Sequence, residues 1–195
     1  MSKIRKAERT REDILDAAWT LIAKRGAGIS LADIAAEVGM TRQSIYVHFK
    51  SRSGLLIALV RRADERADIL RKFERALATP DPGARLKACL AVWFAFVPEI
   101  YPVARDLVRL RAGDTEAAAA WDDRMKDLRR VFRLLARGLH DEGALASYWT
   151  PARAADFLWA ESSVEAWGLL TAERGWSAAS ATEAIIHTME RSLLR

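Results

Sequence analysis

The side chains best suited to binding chemistry lie close together between residues 41 and 52 of the 195-residue chain. They combine hydroxyl, amide, imidazole and cationic groups, whereas a solvated helix face carries mainly charges. The set consists of Thr41, Arg42, Gln43, Ser44, Tyr46, His48, Lys50 and Arg52. Arginine can form paired hydrogen bonds with guanine, and glutamine with adenine, while hydroxyls and cations suit phosphate oxygens. The pattern therefore indicates contact with double-stranded DNA.

Two short helices separated by a glycine turn are predicted to position these side chains. Ser30 is a suitable N-cap for the first helix, and Asp33 supplies part of a capping box. Gly39 ends this helix, and Thr41 begins the second. The apolar residues at helical spacing are Leu31, Ile34, Ala35, Val38, Ile45 and Phe49. This arrangement is typical of a helix-turn-helix motif, although two core helices of any helical domain would share part of the pattern.

The distribution of charge favours the DNA-binding interpretation. The chain carries a net charge of +5, with a sequence pI near 9.6. Residues 1–62 hold 12 Lys and Arg against 6 Asp and Glu, and the remainder holds 19 against 20. The whole basic excess therefore accompanies the predicted motif, as expected of a nucleic-acid-binding module. An opening basic arm, disordered alone and able to lie along phosphates or in a minor groove, is predicted from Lys3, Arg5, Lys6, Arg9 and Arg11.

A longer pattern surrounds the motif. It runs through Thr10-Arg-Glu-Asp-Ile14, Ile34-Ala35, Gly39-Met40-Thr41, Ile45-Tyr46-Val47-His48-Phe49 and Leu55-Leu56. Residues 10–56 resemble, in register, the N-terminal domain of the TetR family of bacterial transcriptional regulators. Gln43 and Ser44 replace the small residues frequent in this family, which implies an individual operator sequence. Ser53 and Gly54 stand where an acidic residue is usual.

The resemblance implies both a domain organisation and a function. A DNA-binding domain is expected over residues 8–68, with its motif at 31–50, and a helical ligand-binding and dimerisation domain over 69–195. The protein would bind palindromic operator DNA as a homodimer and repress transcription until an unknown apolar or amphipathic small molecule releases it. The alternatives are an activator or regulator without an inducer and, more remotely, a helical enzyme or partner-binding module.

Composition predicts an all-α protein. Only five Pro and ten Gly occur, and no alternating strand-like run stands out. A three-helix N-terminal domain is expected to continue through a long fourth helix, about 52–77, into a C-terminal helical domain, with about nine helices in all. Later helices are predicted at 84–97, 103–111, around 121–139, 151–174 and 178–194. A bend is expected between Pro98 and Pro102, because proline removes a helical donor.

Cysteine content and hydropathy indicate a location. The single cysteine, Cys89, excludes an internal disulfide and fits a reducing cytoplasm. The charged N-terminus argues against a secretory signal. The longest apolar run, 88–98, is shorter than the ~20 residues that a membrane span needs. A cytoplasmic protein without a membrane partner is therefore expected.

Two apolar stripes near the C-terminus predict a dimer surface. They consist of Ala155, Leu158, Ser162, Ala166 and Leu169 in one helix, and Ile185, Ile186, Met189 and Leu193 in the next. The family resemblance implies that such a helix pair from each subunit forms a four-helix interface. Packing of both stripes within one subunit is the alternative.

Aromatic residues predict a site for the small molecule. The chain has seven Trp, and six of them follow residue 90. The candidate lining residues are Trp93, Phe96, Tyr101, Trp121, Phe132, Trp159 and Trp167. An apolar wall with a few polar groups is what ligand pockets usually offer. Aromatic residues at helical spacing are nevertheless more often core than ligand wall.

Enzyme motifs are lacking in the sequence. Gly26-Ala27-Gly28 forms half of a dinucleotide fingerprint, but Leu31 occupies the place of the third glycine and a helix is predicted before it. The three histidines, His48, His140 and His187, lie far apart. We therefore expect no catalytic residues, no metal site and no cofactor.

Overall fold

The computed structural model describes residues 3–25 and 29–195, and the regular structure in these ranges is helical. In chain order the helices are α1 (Lys3–Arg25), α2 (Leu31–Glu37), α3 (Arg42–Phe49), α4 (Arg52–Ala67), α5 (Ile69–Leu77), α6 (Pro82–Leu110), α7 (Thr115–Asp141), α8 (Pro151–Glu161), α9 (Val164–Gly168) and α10 (Ala178–Leu193). A π-helical turn, Leu169–Glu173, continues α9. An isolated antiparallel bridge joins Leu145 and Leu194. The predicted all-α fold is confirmed.

The chain forms two compact units. The first comprises residues 1–63 and 102–121, and the second comprises 64–101 and 122–195. The end of α6 and the start of α7 therefore belong to the same unit as the N-terminal helices. Buried core residues of the first unit include Ile14, Leu15, Ile34, Ile45, Leu55, Leu59 and Leu107, and those of the second include Leu86, Leu90, Phe94, Phe132, Leu139 and Met189. Burial of such side chains is the main favourable contribution to folding.

The predicted long fourth helix is two helices. α4 ends at Ala67 and α5 begins at Ile69, with Asp68 between them in the left-handed conformation at φ 49° and ψ 42°. Aspartate adopts this conformation more readily than most residues. The apolar periodicity continues across the break, so the sequence pattern gave no sign of it.

The predicted separation of helices 84–97 and 103–111 at the two prolines is also wrong. Pro98 and Pro102 both lie inside α6, which runs without interruption to Leu110. Val97, Ile100 and Val103, which flank the prolines, are at most 2% exposed. Because tertiary packing supplies most of the stability of a helix in a protein, this burial offsets the hydrogen bonds that the prolines cannot donate.

Two further predictions of local structure need correction. The helix expected over 151–174 ends at Glu161, and Ser163 then caps α9 by accepting a hydrogen bond from the Ala166 N–H at 3.2 Å. Residues 3–9 belong to α1 instead of forming a disordered arm. The side chains of Lys3, Arg5 and Lys6 lie outside the part that the structure describes. So does the half-fingerprint at 26–28.

The apolar stretch of α6 is longer than the run 88–98 that the sequence analysis identified. By length and composition alone, this helix passes as a candidate membrane span. Half of the most apolar stretch of α6 is buried inside the protein. A core helix of a protein without a membrane span meets the same criterion.

Arg85, which is 8% exposed, joins the start of α6 to the end of α7. Its guanidinium donates to the carbonyl oxygens of Thr79 and Pro80, both at 2.7 Å. It also donates to the two carboxylate oxygens of Glu142, at 2.7 and 3.0 Å. These bonds favour the charged carboxylate, so the pKa of Glu142 lies below its usual value.

Another ion pair, also in the second unit, joins Asp64 to Arg124. The Asp64 side chain is only 13% exposed. Burial raises the pKa of Asp64 to about 6, although the guanidinium of Arg124 acts in the opposite direction. The charged form of Asp64 is therefore less stable in the folded protein than in water.

Candidate nucleic-acid interface

Local hydrogen bonds form the helix-turn-helix as the sequence predicts. The Ser30 N–H donates to the Asp33 carboxylate at 2.8 Å, and the Asp33 N–H donates to the Ser30 hydroxyl at 3.2 Å. This is a complete capping box at the start of α2. Gly39 has φ +66°, which a residue with a side chain rarely adopts. Thr41 caps α3 by accepting a hydrogen bond from the Ser44 N–H at 3.1 Å.

Two buried side chains anchor α3 in the first unit. Ile45 is fully buried, and Phe49, one turn later, is 5% exposed. The guanidinium of Arg11 lies over the Phe49 ring, 5.1 Å from its centroid, so α1 also contacts this anchor. Ile45 and Phe49 occupy one side of α3, which leaves the opposite side available to a partner.

The rest of the α3 surface, including the first turn of the helix, is exposed and polar. Arg42 and Gln43 are exposed, Tyr46 is 58% exposed, and Lys50 is exposed just after the helix. Val47, which the sequence-based prediction of the site omitted, is 73% exposed on the same surface. We call the surface formed by Arg42, Gln43, Tyr46, Val47 and Lys50 the α3 face.

Three other residues predicted at this site, Thr41, Ser44 and His48, make contacts within the protein. The Thr41 and Ser44 hydroxyls form a hydrogen bond with each other at 2.9 Å. Ser44 and His48 are half-buried, and the His48 ring lies 6.3 Å from that of Phe49. Thr41 and Ser44 therefore stabilise the start of α3 in addition to any role in binding.

A tight corner connects α3 to α4. Lys50 has φ 60°, and the backbone of Gly54 passes close to the end of α3. A Cβ atom at Gly54 would collide with the carbonyl oxygen of Phe49. Glycine is thus required at this position of α4, which explains its presence there.

Arg52, at the start of α4, is directed toward protein groups. Its Nε donates to the carbonyl of Ile29 at 3.2 Å, and its guanidinium pairs with the carboxylate of Asp106 on α6. The next residue, Ser53, is 2% exposed and donates to Asp114, whose other carboxylate oxygen caps α7. The start of α4 is therefore held by Asp106, near the end of α6, and by Asp114, just after that helix. These contacts hold Arg52 at the start of α4, and its predicted phosphate contact stays a prediction.

Six of the seven candidate ligand-binding aromatics lie in the second unit, and Trp121 lies in the first. Trp93, Phe96, Phe132 and Trp167 are buried, and Tyr101 and Trp159 are half-buried. The Trp93 Nε1 donates to the Ser162 carbonyl at 2.7 Å. The Tyr101 ring packs edge-on against Trp167, with centroids 5.0 Å apart. Among the described side chains, Ser162 Oγ, Trp159 Nε1 and Trp167 Nε1 are enclosed without a hydrogen-bond partner.

Most of the predicted dimer residues point into their own protomer. Those less than 9% exposed are Ala155, Leu158, Ser162, Ile185, Met189 and Leu193. Because these side chains are already enclosed, they do not offer surface to a second subunit. Leu169 is 54% exposed, and Ala166 and Ile186 are half-buried. Ile186 also lines an open groove of about 730 Å³ between α6 and α10.

No group of three or more His, Cys, Asp or Glu side chains within the described residues is arranged to hold a metal. The single thiol, Cys89, is fully buried, and burial raises its pKa to about 12. Its thiolate is therefore strongly disfavoured near neutral pH. The exposed α3 face remains the candidate site with the clearest geometry. The class of site it defines is the helix-turn-helix.

Comparison with known proteins agrees with this class. Residues 14–59 match the profile of the family described as "Bacterial regulatory proteins, tetR family". The HTH-type transcriptional regulator TtgR of Pseudomonas putida is 38% identical over 89 residues, which cover 45% of this chain and 42% of TtgR. The aligned part thus spans less than half of that relative. The likeness to this family of regulatory proteins therefore rests on the N-terminal part of the chain, residues 14–59.

Solved structures share the fold over nearly the whole chain. A protein from Saccharomonospora viridis, described as a transcriptional regulator in complex with choline, matches with a TM-score of 0.78 and 21% identity, covering 96% of this chain and 99% of that one. NalD, the secondary repressor of the MexAB-OprM multidrug efflux pump in Pseudomonas aeruginosa, matches with a TM-score of 0.65 and 22% identity, covering 98% of each chain. At these identities the likeness establishes the fold.

Proposed function

We propose that the chain is a cytoplasmic transcriptional regulator that binds palindromic operator DNA as a homodimer. The observation that carries this proposal is the α3 face, which is exposed, polar and basic on a helix anchored from behind by Ile45 and Phe49. In a helix-turn-helix, the second helix enters the major groove and its N-terminal residues reach the base edges. Repression is the role we assign, in line with the named function of NalD.

Each exposed side chain has a distinct role in this proposal. Arg42 binds guanine and Gln43 binds adenine through paired hydrogen bonds, each discriminating between bases by about 1–3 kcal/mol. Tyr46 and Lys50 contact phosphates, which set the register without reading sequence. Thr41, Ser44 and His48 support the helix beside them. Arg52 fixes α4.

Selection of operator fragments from random duplex DNA tests the DNA-binding proposal. The wild type is expected to enrich an imperfect palindrome, and Gln43→Ala is expected to lose preference at one symmetric pair of positions while keeping the rest. Leu134→Ala is the control, because Leu134 is 55% exposed on α7 and lies outside the α3 face. Failure of the wild type to enrich any sequence would contradict the proposal.

Self-association is proposed through surface that the protomer leaves accessible. Leu169, with half-buried Ala166 and Ile186, supplies apolar surface near α9 and α10. Leu169→Asp is expected to yield monomers in sedimentation at micromolar concentration and to weaken operator binding, since a monomer contacts only one half-site. Leu134→Asp adds the same charge at an equally exposed leucine and should leave the dimer intact. A monomeric wild type would contradict the dimer.

A small-molecule effector is proposed to bind near the junction of α6, α8 and α9 in the second unit. The support comes from the enclosed Ser162 Oγ and Trp167 Nε1, which lack partners within the described part of the chain, beside the aromatic rings of Trp93 and Tyr101. Buried polar groups without partners are costly, and a polar atom of an amphipathic ligand would satisfy them. The choline bound to the structural neighbour from Saccharomonospora viridis supports small-molecule binding in this fold.

Fluorescence and DNA release together test the effector. Choline and a panel of amphipathic compounds are added to the protein–operator complex, and an effector should quench tryptophan emission and lower DNA affinity by about 1–3 kcal/mol. Trp167→Phe removes only the indole N–H and ring edge, so it should weaken the effector but spare operator binding. Trp176→Phe, at a 45% exposed position, is the control. If no compound releases DNA, the regulator acts without an inducer of these classes.

A further inference from the structure

Val47 is an exposed apolar side chain with no evident structural role. Its 73% exposure exceeds that of every other large apolar side chain in the described residues, including Tyr148 at 67%. Valine is also a poor choice for an exposed helix position, because its branched side chain loses freedom against the preceding turn. Neither packing nor helix stability therefore explains a valine in the middle of α3.

The surroundings of Val47 restrict what it can bind. It lies one helical turn after Gln43, so the two side chains share one side of α3. Exposed Arg42 and Lys50 make the same face basic. This charge favours a polyanion over an apolar protein surface as the partner. The major groove presents one apolar group among its polar edges, the C5-methyl group of thymine.

We infer that Val47 selects thymine in each operator half-site by contact with its methyl group. The inference rests on the proposed function and deepens it. Four residues of helix rise about 6 Å, close to two base-pair steps of about 3.4 Å. The thymine is therefore placed within two base pairs of the adenine bound by Gln43.

Replacing thymine by deoxyuridine tests this inference, because the exchange removes the methyl group and leaves base pairing intact. Each thymine of the selected operator is replaced in turn, and the dissociation constant is measured for wild type and Val47→Ala. Burial of one methyl group corresponds to about a fourfold change in affinity, or about 15-fold when both half-sites are changed. The wild type should show this loss at one symmetric thymine pair, and Val47→Ala should show none there.

Two control variants sharpen the result. Val47→Thr keeps one methyl group of the side chain and should retain part of the discrimination. Leu134→Ala removes an exposed apolar side chain elsewhere and should retain all of it. Equal sensitivity of wild type and Val47→Ala at every thymine would overturn the role of Val47 while leaving operator binding established. If selection yields no operator at all, both the proposed function and this inference are refuted.

Discussion

Replacing Arg52 by lysine separates a positioning role from a phosphate contact. The substitution keeps the positive charge at the start of α4 but removes the forked guanidinium. In the structure that guanidinium contacts the Ile29 carbonyl and the Asp106 carboxylate at once. A lysine ammonium is a single point donor and cannot reproduce both contacts.

The expected cost follows from these two contacts. A hydrogen bond to a carbonyl contributes about 1 kcal/mol, and one to a charged group contributes about 1.5–3 kcal/mol. The Arg52 side chain is 31% exposed, so solvent screening reduces the upper value. We expect Arg52→Lys and Asp106→Asn each to lower the unfolding free energy by about 1–3 kcal/mol. Because both disrupt one contact, the double variant should lose less than the sum.

Chemical denaturation and DNA titration at several salt concentrations provide the assay. Arg52→Lys should weaken binding alike on all sequences, through misplacement of α3, while the salt slope stays that of the wild type. Two results together would refute the reasoning. Arg52→Lys would have the unfolding free energy of the wild type, and Arg52→Gln would lower the slope of log affinity against log salt concentration by about one. That result is the signature of a phosphate contact.

Three further predictions concern the second unit. Arg85→Met should lower the unfolding free energy by about 1–3 kcal/mol, because it leaves the carbonyls of Thr79 and Pro80 without their donor, and urea denaturation measures this loss. Gly168→Ala should displace Tyr101, whose Cζ lies 2.9 Å from the added Cβ position, so effector binding should fall while operator binding is unchanged. For Asp64, the raised pKa makes the folded state bind its proton more tightly, so the contribution of Asp64 to stability is fully present below pH ~4 and is lost as pH rises through about 6. Between pH 4 and pH 7 the unfolding free energy of the wild type should fall by up to about 3 kcal/mol relative to that of Asp64→Asn. Parallel curves of unfolding free energy against pH for the two proteins would contradict this.

The helix-turn-helix could be predicted because its determinants are local. The Ser30 and Thr41 caps and the Gly39 turn each depend on residues at most three positions apart. The spacing of Ile45 and Phe49 likewise specified which side of α3 is buried. Such short-range rules hold because few alternative partners compete with them.

The rest of the site depends on partners distant in sequence. Arg52 pairs with Asp106, which lies 54 positions later in the chain, and no sequence pattern near Arg52 predicts this pairing. The stripe that includes Leu158 and Met189 matches an interface and a core equally well, and only the packed protomer distinguishes them. The sequence-based prediction omitted Val47 because the sequence shows that a residue is apolar but does not show whether it is exposed.

Methylation interference on the selected operator tests the central claim, that α3 lies in the major groove of both half-sites. Methylation of guanine N7 blocks the major groove, and methylation of adenine N3 blocks the minor groove. We predict interference by N7-methylguanine at two positions, one in each half-site, in segments centred about 34–36 Å apart. The guanine signal should disappear with Arg42→Ala. Interference confined to adenine N3, or a guanine signal unaffected by Arg42→Ala, would contradict the account.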